Sequence, residues 1–267
     1  MRRRRFLTIS VSAVGVGALS TAVEAQRAGG RQVLELRHYT FASASKLAAF
    51  ESFSQSGLVP ALNRAGIRPV GVFKMMKADN PQATFPGDTA LELFVLLPHS
   101  SVESAATLDT KLAADAAYTS ALAALGETPK DPAFARYESS LLLAFQNFPH
   151  AEAPVKSATR VLQLRTYEAA NAERNRMKVR MFNEGGEIRI FREAGMTPVF
   201  FGHAFAGTKL PNLTYMLGFE SDEALKAAWD KFGKHPDWLK LRNDPMYADT
   251  VSTITNLILR PTTRSQI

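Results

Sequence analysis

Two arginine–tyrosine pairs and two further basic residues are the groups whose types and spacing could do chemistry. Arg37 and Tyr39 stand two residues apart, as do Arg165 and Tyr167, so in extended chain each pair falls on one face of a strand. Lys74 and His203 occupy matched positions in a repeated frame set out below. With the two pairs they make a candidate ligand-binding set of six: Arg37, Tyr39, Lys74, Arg165, Tyr167 and His203. In such a set the arginines could hold a carboxylate or enolate, a tyrosine could orient it, and His203 could move a proton. His203 could serve as a base or a haem ligand only in an open pocket. Each group also has a structural reading. A buried guanidinium is costly unless a carboxylate such as Glu35 neutralises it, and a histidine on a strand is ordinarily a hydrogen-bonded core residue.

Other chemistry is set aside by what is missing. The chain has no cysteine, which removes disulfides, thiolate metal sites, iron–sulfur clusters and cysteine nucleophiles. Its five histidines, at 38, 99, 150, 203 and 235, show neither H-x-H nor H-E-x-x-H spacing, so a metal site could arise only by convergence in space. No G-x-S-x-G, Walker loop or dinucleotide fingerprint appears, and Gly185-Gly186 reads as lying inside a helix. No cofactor and no metal are expected. Trp229, Phe232 and Trp238 have the spacing of a helix face and its following turn, which favours packing over a substrate platform. His235, before Pro236, reads as answering exposed carbonyls at a helix end.

The elements that position the six residues come in two similar series. Leu36-Arg37-His38-Tyr39 returns as Leu164-Arg165-Thr166-Tyr167, and Phe53, Gly57, Ala65, Gly66, Pro69 and Val70 return as Phe182, Gly186, Ala194, Gly195, Pro198 and Val199. Asp131-Pro132 matches Asp244-Pro245 near the end of each series. An internal repeat of this span implies two copies of one unit. The first copy, 32–145, reads as a strand over Val33–Tyr39 and a helix capped by Ser45 and ended by Gly66. Strands over Val70–Met76 and Leu91–Leu97, a helix opened by Ser101 and a strand over Arg136–Phe145 complete it. After a linker, 146–159, the second copy, 160–261, repeats the order with helix caps at Asn171 and Ser221.

This βαββαβ order is that of a ferredoxin-like unit. The expected fold is α+β: two tandem ferredoxin-like repeats packed sheet to sheet as a pseudo-dimeric α/β barrel. Alternation places Leu34 and Leu36, and likewise Leu162 and Leu164, opposite the arginine–tyrosine pairs. If the helices cover the leucine faces, the six candidate residues line the interior between the sheets.

Residues 1–25 read as a signal peptide. Arg3-Arg4-x-Phe6-Leu7 fits the twin-arginine export pattern, and Val23-Glu24-Ala25 fits a cleavage site. The apolar stretch is shorter than the ~20 residues a bilayer span requires, so no stable membrane span is expected after cleavage. Removal of four Arg and one Glu would lower the net charge from +7 to +4. The remaining Lys and Arg alternate with Asp and Glu, a pattern that excludes nucleic acid as the expected partner. Export to a bacterial periplasm is expected, with a small-molecule ligand and a homo-oligomer as candidate partners.

The opening E-L-R-x-Y strand, the A-G-x-x-P-V corner, His235-Pro236-Asp237-Trp238 and the closing Asn256-Leu257-Ile258-Leu259-Arg260-Pro261 resemble the NIPSNAP family. The resemblance is weaker in the first copy, which lacks the two tryptophans and the H-P-D-W segment. It implies a dimeric α/β-barrel fold and a protein of unassigned activity that binds a small molecule or a partner. The wider superfamily adds an alternative, a cofactor-independent monooxygenase- or isomerase-like enzyme using the barrel interior. The resemblance carries over no catalytic set.

Overall fold

Eight stretches of alternating side chains close into one antiparallel barrel. They are β1 (Val33–Thr40), β2 (Gly71–Met75), β3 (Glu92–His99), β4 (Arg136–Ala144), β5 (Val161–Glu168), β6 (Thr197–Ala206), β7 (Asn212–Phe219) and β8 (Thr253–Pro261). The computed structural model describes residues 30–83 and 91–267. The signal segment read over 1–25 lies outside the described residues. No helix among the described residues is long and apolar enough to cross a membrane.

Round the barrel the strands run β1-β3-β2-β8-β5-β7-β6-β4. Each half therefore orders its own strands in the ferredoxin-like way, β4-β1-β3-β2 and β8-β5-β7-β6, and the halves join along two seams, β2 with β8 and β4 with β6. Replacing every strand by its counterpart returns the same circular order, so corresponding residues of the two halves lie at the same end of the barrel. Closure leaves no free sheet edge, which suits strands of such apolar content. At the β4–β6 seam the backbones approach closely at Gly202, where an added Cβ would stand 2.7 Å from Leu142 Cβ.

Helices cover the outer face. In the first half α1 (Ala44–Phe53) passes through a π-helical turn at Ser54–Leu58 into α2 (Val59–Arg64), and α3 (Val102–Ala106), α4 (Leu108–Ala113) and α5 (Ala116–Ala123) follow β3. In the second half the helices are α6 (Ala172–Asn183), α7 (Glu187–Glu193), α8 (Asp222–Gly233) and α9 (Pro236–Leu241). Asn171, Ser221 and Ser101 cap their helices through side-chain oxygens, as read from the sequence. Two local readings are corrected. Ser43, not Ser45, caps α1, because its extended backbone lets the hydroxyl reach the amide of Lys46. Gly186 does not sit inside a helix but takes φ +87° between α6 and α7, ending one helix and opening the next.

The core has three layers of side chains. Leu34, Phe73, Phe94, Leu142, Leu162, Leu164, Phe200, Met216, Leu257 and Leu259 fill the inside of the barrel. Outside it, Tyr39, Val72, Leu93, Val95 and Leu97 meet Leu47, Phe50, Phe53 and Leu62 of α1 and α2. Tyr167, Phe201, Leu213, Tyr215 and Leu217 meet Phe182, Phe191 and Phe232 in the same way. This overturns the face expected for the opening strands. The leucines point into the barrel, and the arginine–tyrosine pairs point outward beneath the helices. Alternation could not decide this, because both faces of these strands are buried.

Candidate functional site

The interior is closed at one end and hollow at the other. Ala151 from the segment linking the halves and Ile267 pack into the inner cluster, and Ile267 lies beside Gly71 at the start of β2. At the opposite end a cavity of about 460 Å³ opens among the ends of β1 and β5 and the beginnings of β3, β4, β7 and β8. Its floor is apolar: Leu36, Phe94, Leu142, Leu164 and Leu257. The walls carry His38, Thr40, Glu92, Arg136, Glu138, Thr166, Lys209, Asn212, Thr214 and Thr255. This volume falls within the range over which small-molecule sites occur.

One wall is ionisable. His38 Nε2 meets Glu92 Oε2 at 2.7 Å, and the imidazole stacks on Phe94 with ring centroids 4.3 Å apart and planes 2° from parallel. Glu92 is only 1% exposed. A carboxylate fixed behind a stacked imidazole holds the ring's orientation.

The facing wall is neutral and its hydrogen bonds have a direction. Asn212 donates its amide hydrogens to the carbonyls of Thr208 and Lys209, which turns its Oδ1 towards Thr214, and Thr214 donates to it at 3.1 Å. Thr166 and Thr214 hydroxyls lie 2.9 Å apart. Since the Thr214 proton is committed to Asn212, Thr166 is the donor of that pair. At the rim Lys209 donates to Thr255 Oγ1 at 3.0 Å.

The two walls occupy equivalent positions. His38 stands opposite Phe94, and Thr40 opposite Glu92, as Thr166 stands opposite Thr214 and Glu168 opposite Asn212. His38, Glu92 and Phe94 thus correspond to Thr166, Asn212 and Thr214.

The six residues singled out from the sequence are elsewhere. Arg37 Nε donates to Glu35 Oε1 at 2.6 Å beneath the first-half helices, with Asp109 of α4 3.7 Å from Nη2. Tyr39 packs on Phe50, Phe134 and Tyr137, and burial pushes its phenol up. Lys74 bonds Glu51 of α1 at 3.0 Å. Arg165 lies over Trp229 at 4.7 Å and over Tyr167 at 5.3 Å. Tyr167 shares a 2.8 Å hydroxyl contact with Tyr215. His203 Nδ1 meets Asn175 of α6 at 2.8 Å, and burial, with Arg31 adding to it, holds its pKa below the usual value. These residues tie sheet to helix and do not meet in one pocket, so the expectation that they line the interior is corrected. For Arg37 the physical reason is neutralisation. Glu35 answers Arg37, His99 and Ser139 at once, which makes a charged outer face tolerable under helices.

His38 went unmarked because it belonged to a motif read for Arg37 and Tyr39. The available signal was the mismatch between the copies: a histidine faces Thr166 across an otherwise similar tetrapeptide. His235 is also reassigned, since its Nδ1 accepts from the Asp237 amide and caps the start of α9. Glu193, His235 and Asp237 converge in space, but Arg189 bonds both carboxylates at 2.6 Å and supplies the cation itself.

With this geometry in place, the class is that of a dimeric α/β barrel, here with both halves in one chain. A monooxygenase-like protein from Lactobacillus acidophilus shares the fold at TM-score 0.55 and 12% identity, over 86% of this chain and 94% of that one. A second, from Fusobacterium nucleatum, does so at TM-score 0.56 and 6% identity, over 87% and 93%. A more particular likeness lies in the second half, where residues 162–266 match the NIPSNAP family model. A NIPSNAP-like domain protein from Burkholderia xenovorans is 19% identical, over 39% of this chain and 87% of that one, at TM-score 0.35. No curated protein matches the chain.

Proposed function

We propose that this is an exported NIPSNAP-domain protein, built from two tandem copies of the domain, that binds a small organic molecule in the well at the open end of its barrel. The observation that carries the reading is the well itself: about 460 Å³ above an apolar floor, in a barrel stoppered at its other end. A barrel needing only a core would be filled by side chains at both ends. The NIPSNAP match over 162–266 and the barrel likeness support a scaffold of this kind. They supply no reaction. Export rests on the twin-arginine pattern at Arg3-Arg4.

The reading is tested by titrating the purified protein with 1-naphthol and following its fluorescence, beside native mass spectrometry for any retained molecule. Thr40→Trp is chosen to fill the mouth, which Thr40 lines. Saturable binding by the parent protein, abolished in Thr40→Trp with the melting temperature kept, is expected. Equal binding by both proteins would place the ligand elsewhere. Replacing Arg3 and Arg4 with Lys should stop the appearance of exported protein if the twin-arginine route is used.

A further inference from the structure

A second cleft lies beside the closed end of the barrel, away from the well. It measures about 540 Å³ and runs between the π-helical turn with α2 on one side and the chain after β8 on the other. Arg68 and Arg264 stand in its lining, and the other lining side chains are amides, hydroxyls and apolar groups, with no carboxylate. Both arginines are exposed, and among the described residues neither has a hydrogen bond or an ion pair. The amides are open to a ligand as well. Gln266 Oε1 accepts from the Val70 amide at 2.8 Å, which turns its NH2 group away from Val70. Asn63 Oδ1 is shut off from solvent without a hydrogen-bond partner. No bond fixes that amide, so it is free to turn its NH2 group towards an anion.

The corresponding place in the other half is filled. The turn Thr262–Ser265 matches Phe145–Phe148: the Thr262 amide bonds the Val72 carbonyl as the Phe145 amide bonds that of Phe201, and the Ser265 amide bonds Thr262 as that of Phe148 bonds Phe145. There Phe148 is buried, Arg192 lies over its ring at 5.4 Å, and Asn147 is tied to Asn183 by two hydrogen bonds. Here the matched residues are Ser265 for Phe148, Asn63 for Arg192 and Arg264 for Asn147. A small residue thus takes the place of a ring, and an unpaired guanidinium takes the place of a bonded amide. We propose that this cleft is a second binding site, for a small doubly charged oxyanion, a phosphate ester or a dicarboxylate. Arg68 and Arg264 balance its charge and donate to its oxygens in forks, and the amides of Gln266 and Asn63 add neutral donors. The site does not depend on the well.

The probe is phenyl phosphate, followed by broadening of its phosphorus resonance as purified protein is added, with succinate and acetate as competitors. Saturable binding is expected, displaced by succinate and far less by acetate, and the ratio of the first two affinities tells a phosphate site from a dicarboxylate site. Arg68→Gln and Arg264→Gln should each weaken binding about tenfold, the effect of one charged hydrogen-bond partner, with the melting temperature kept. Arg242→Gln removes the same charge just after α9 in the other half and should bind as the parent does, as should Thr40→Trp in the well. Equal weakening by Arg242→Gln and the two cleft variants would reduce the effect to net charge and overturn the site. Loss in Thr40→Trp, with the cleft variants unchanged, would place the probe in the well and overturn it too. No saturable binding rejects the cleft as an anion site, and displacement by acetate as effective as by succinate rejects the double charge.

Discussion

Arg37 and His38 are neighbours in the chain and stand on opposite sides of the barrel wall. Arg37 lies beneath the helices against Glu35 at 2.6 Å, and His38 lies in the well against Glu92 at 2.7 Å. Each has a carboxylate partner, but the two pairs serve different ends: one joins sheet to helix, the other faces a cavity.

The dyad in the well should be dispensable for folding. Glu92 is buried with His38 as its carboxylate's hydrogen-bond partner, and replacing both members of such a buried pair by apolar residues is commonly neutral or stabilising by about 1–4 kcal/mol, whereas removing one member alone is destabilising. His38→Leu with Glu92→Leu is expected to keep or raise the urea midpoint, and Glu92→Leu alone to lower it. A stability lower by about 3 kcal/mol or more in the double variant would make the pair a structural one.

The outer pair should show itself in acid. Burial raises the Glu35 carboxyl, but the hydrogen bond from His99, the charge of Arg37 and the hydroxyl of Ser139 outweigh it and hold the pKa at about 2 against an ordinary 4.5. A folded-state pKa below the unfolded one stabilises the protein above about pH 4.5, and that stability is lost as pH falls towards 2. A shift of this size corresponds to roughly 3 kcal/mol. Glu35→Gln should therefore flatten the fall of melting temperature between pH 5 and 2. A parallel fall in both proteins would show that Glu35 is not the group responsible.

Leu164 and Arg165 test which face is which. Leu164→Asp would put an unpaired carboxylate in the barrel floor, a cost of several kcal/mol against a total margin of about 5–15 kcal/mol. Arg165→Ala would remove a guanidinium stacked between Trp229 and Tyr167, at about 1–2 kcal/mol. Denaturant melts should show a large loss for the first and a modest one for the second. Only Leu164→Asp should also abolish 1-naphthol binding at temperatures where the protein is still folded.

Lys178 of α6 and Glu187 of α7 form a buried pair at 2.9 Å, with Lys178 Nζ also over the rings of Phe182 and Tyr167. Burial raises the Glu187 carboxyl, and Lys178 opposes it. Lys178→Met leaves that carboxyl alone and should cost about 3–5 kcal/mol, whereas Lys178→Met with Glu187→Leu should recover most of it. Equal losses in the single and double variants would remove the pair as the cause.

The sequence by itself determined the element order, the helix caps at Asn171, Ser221 and Ser101, and the pairing of two ferredoxin-like halves. These follow from local rules: side-chain alternation, capping oxygens, and prolines that stop helices. It also determined that Arg37 shares a face with Glu35 and Tyr39, and Leu34 with Leu36. Only the tertiary structure decided which of those faces is inside. A strand in contact with water on one side declares its inner face by polarity, but β1 and β5 are covered twice, by the opposite sheet within and by helices without. Both faces then need apolar contacts or neutralised charge, and alternation sorts residues into two sets without saying which layer each set joins. Closure of the barrel made that choice. It sent the arginines under the helices and gathered His38, Glu92, Thr166 and Thr214, from four strands, around one cavity.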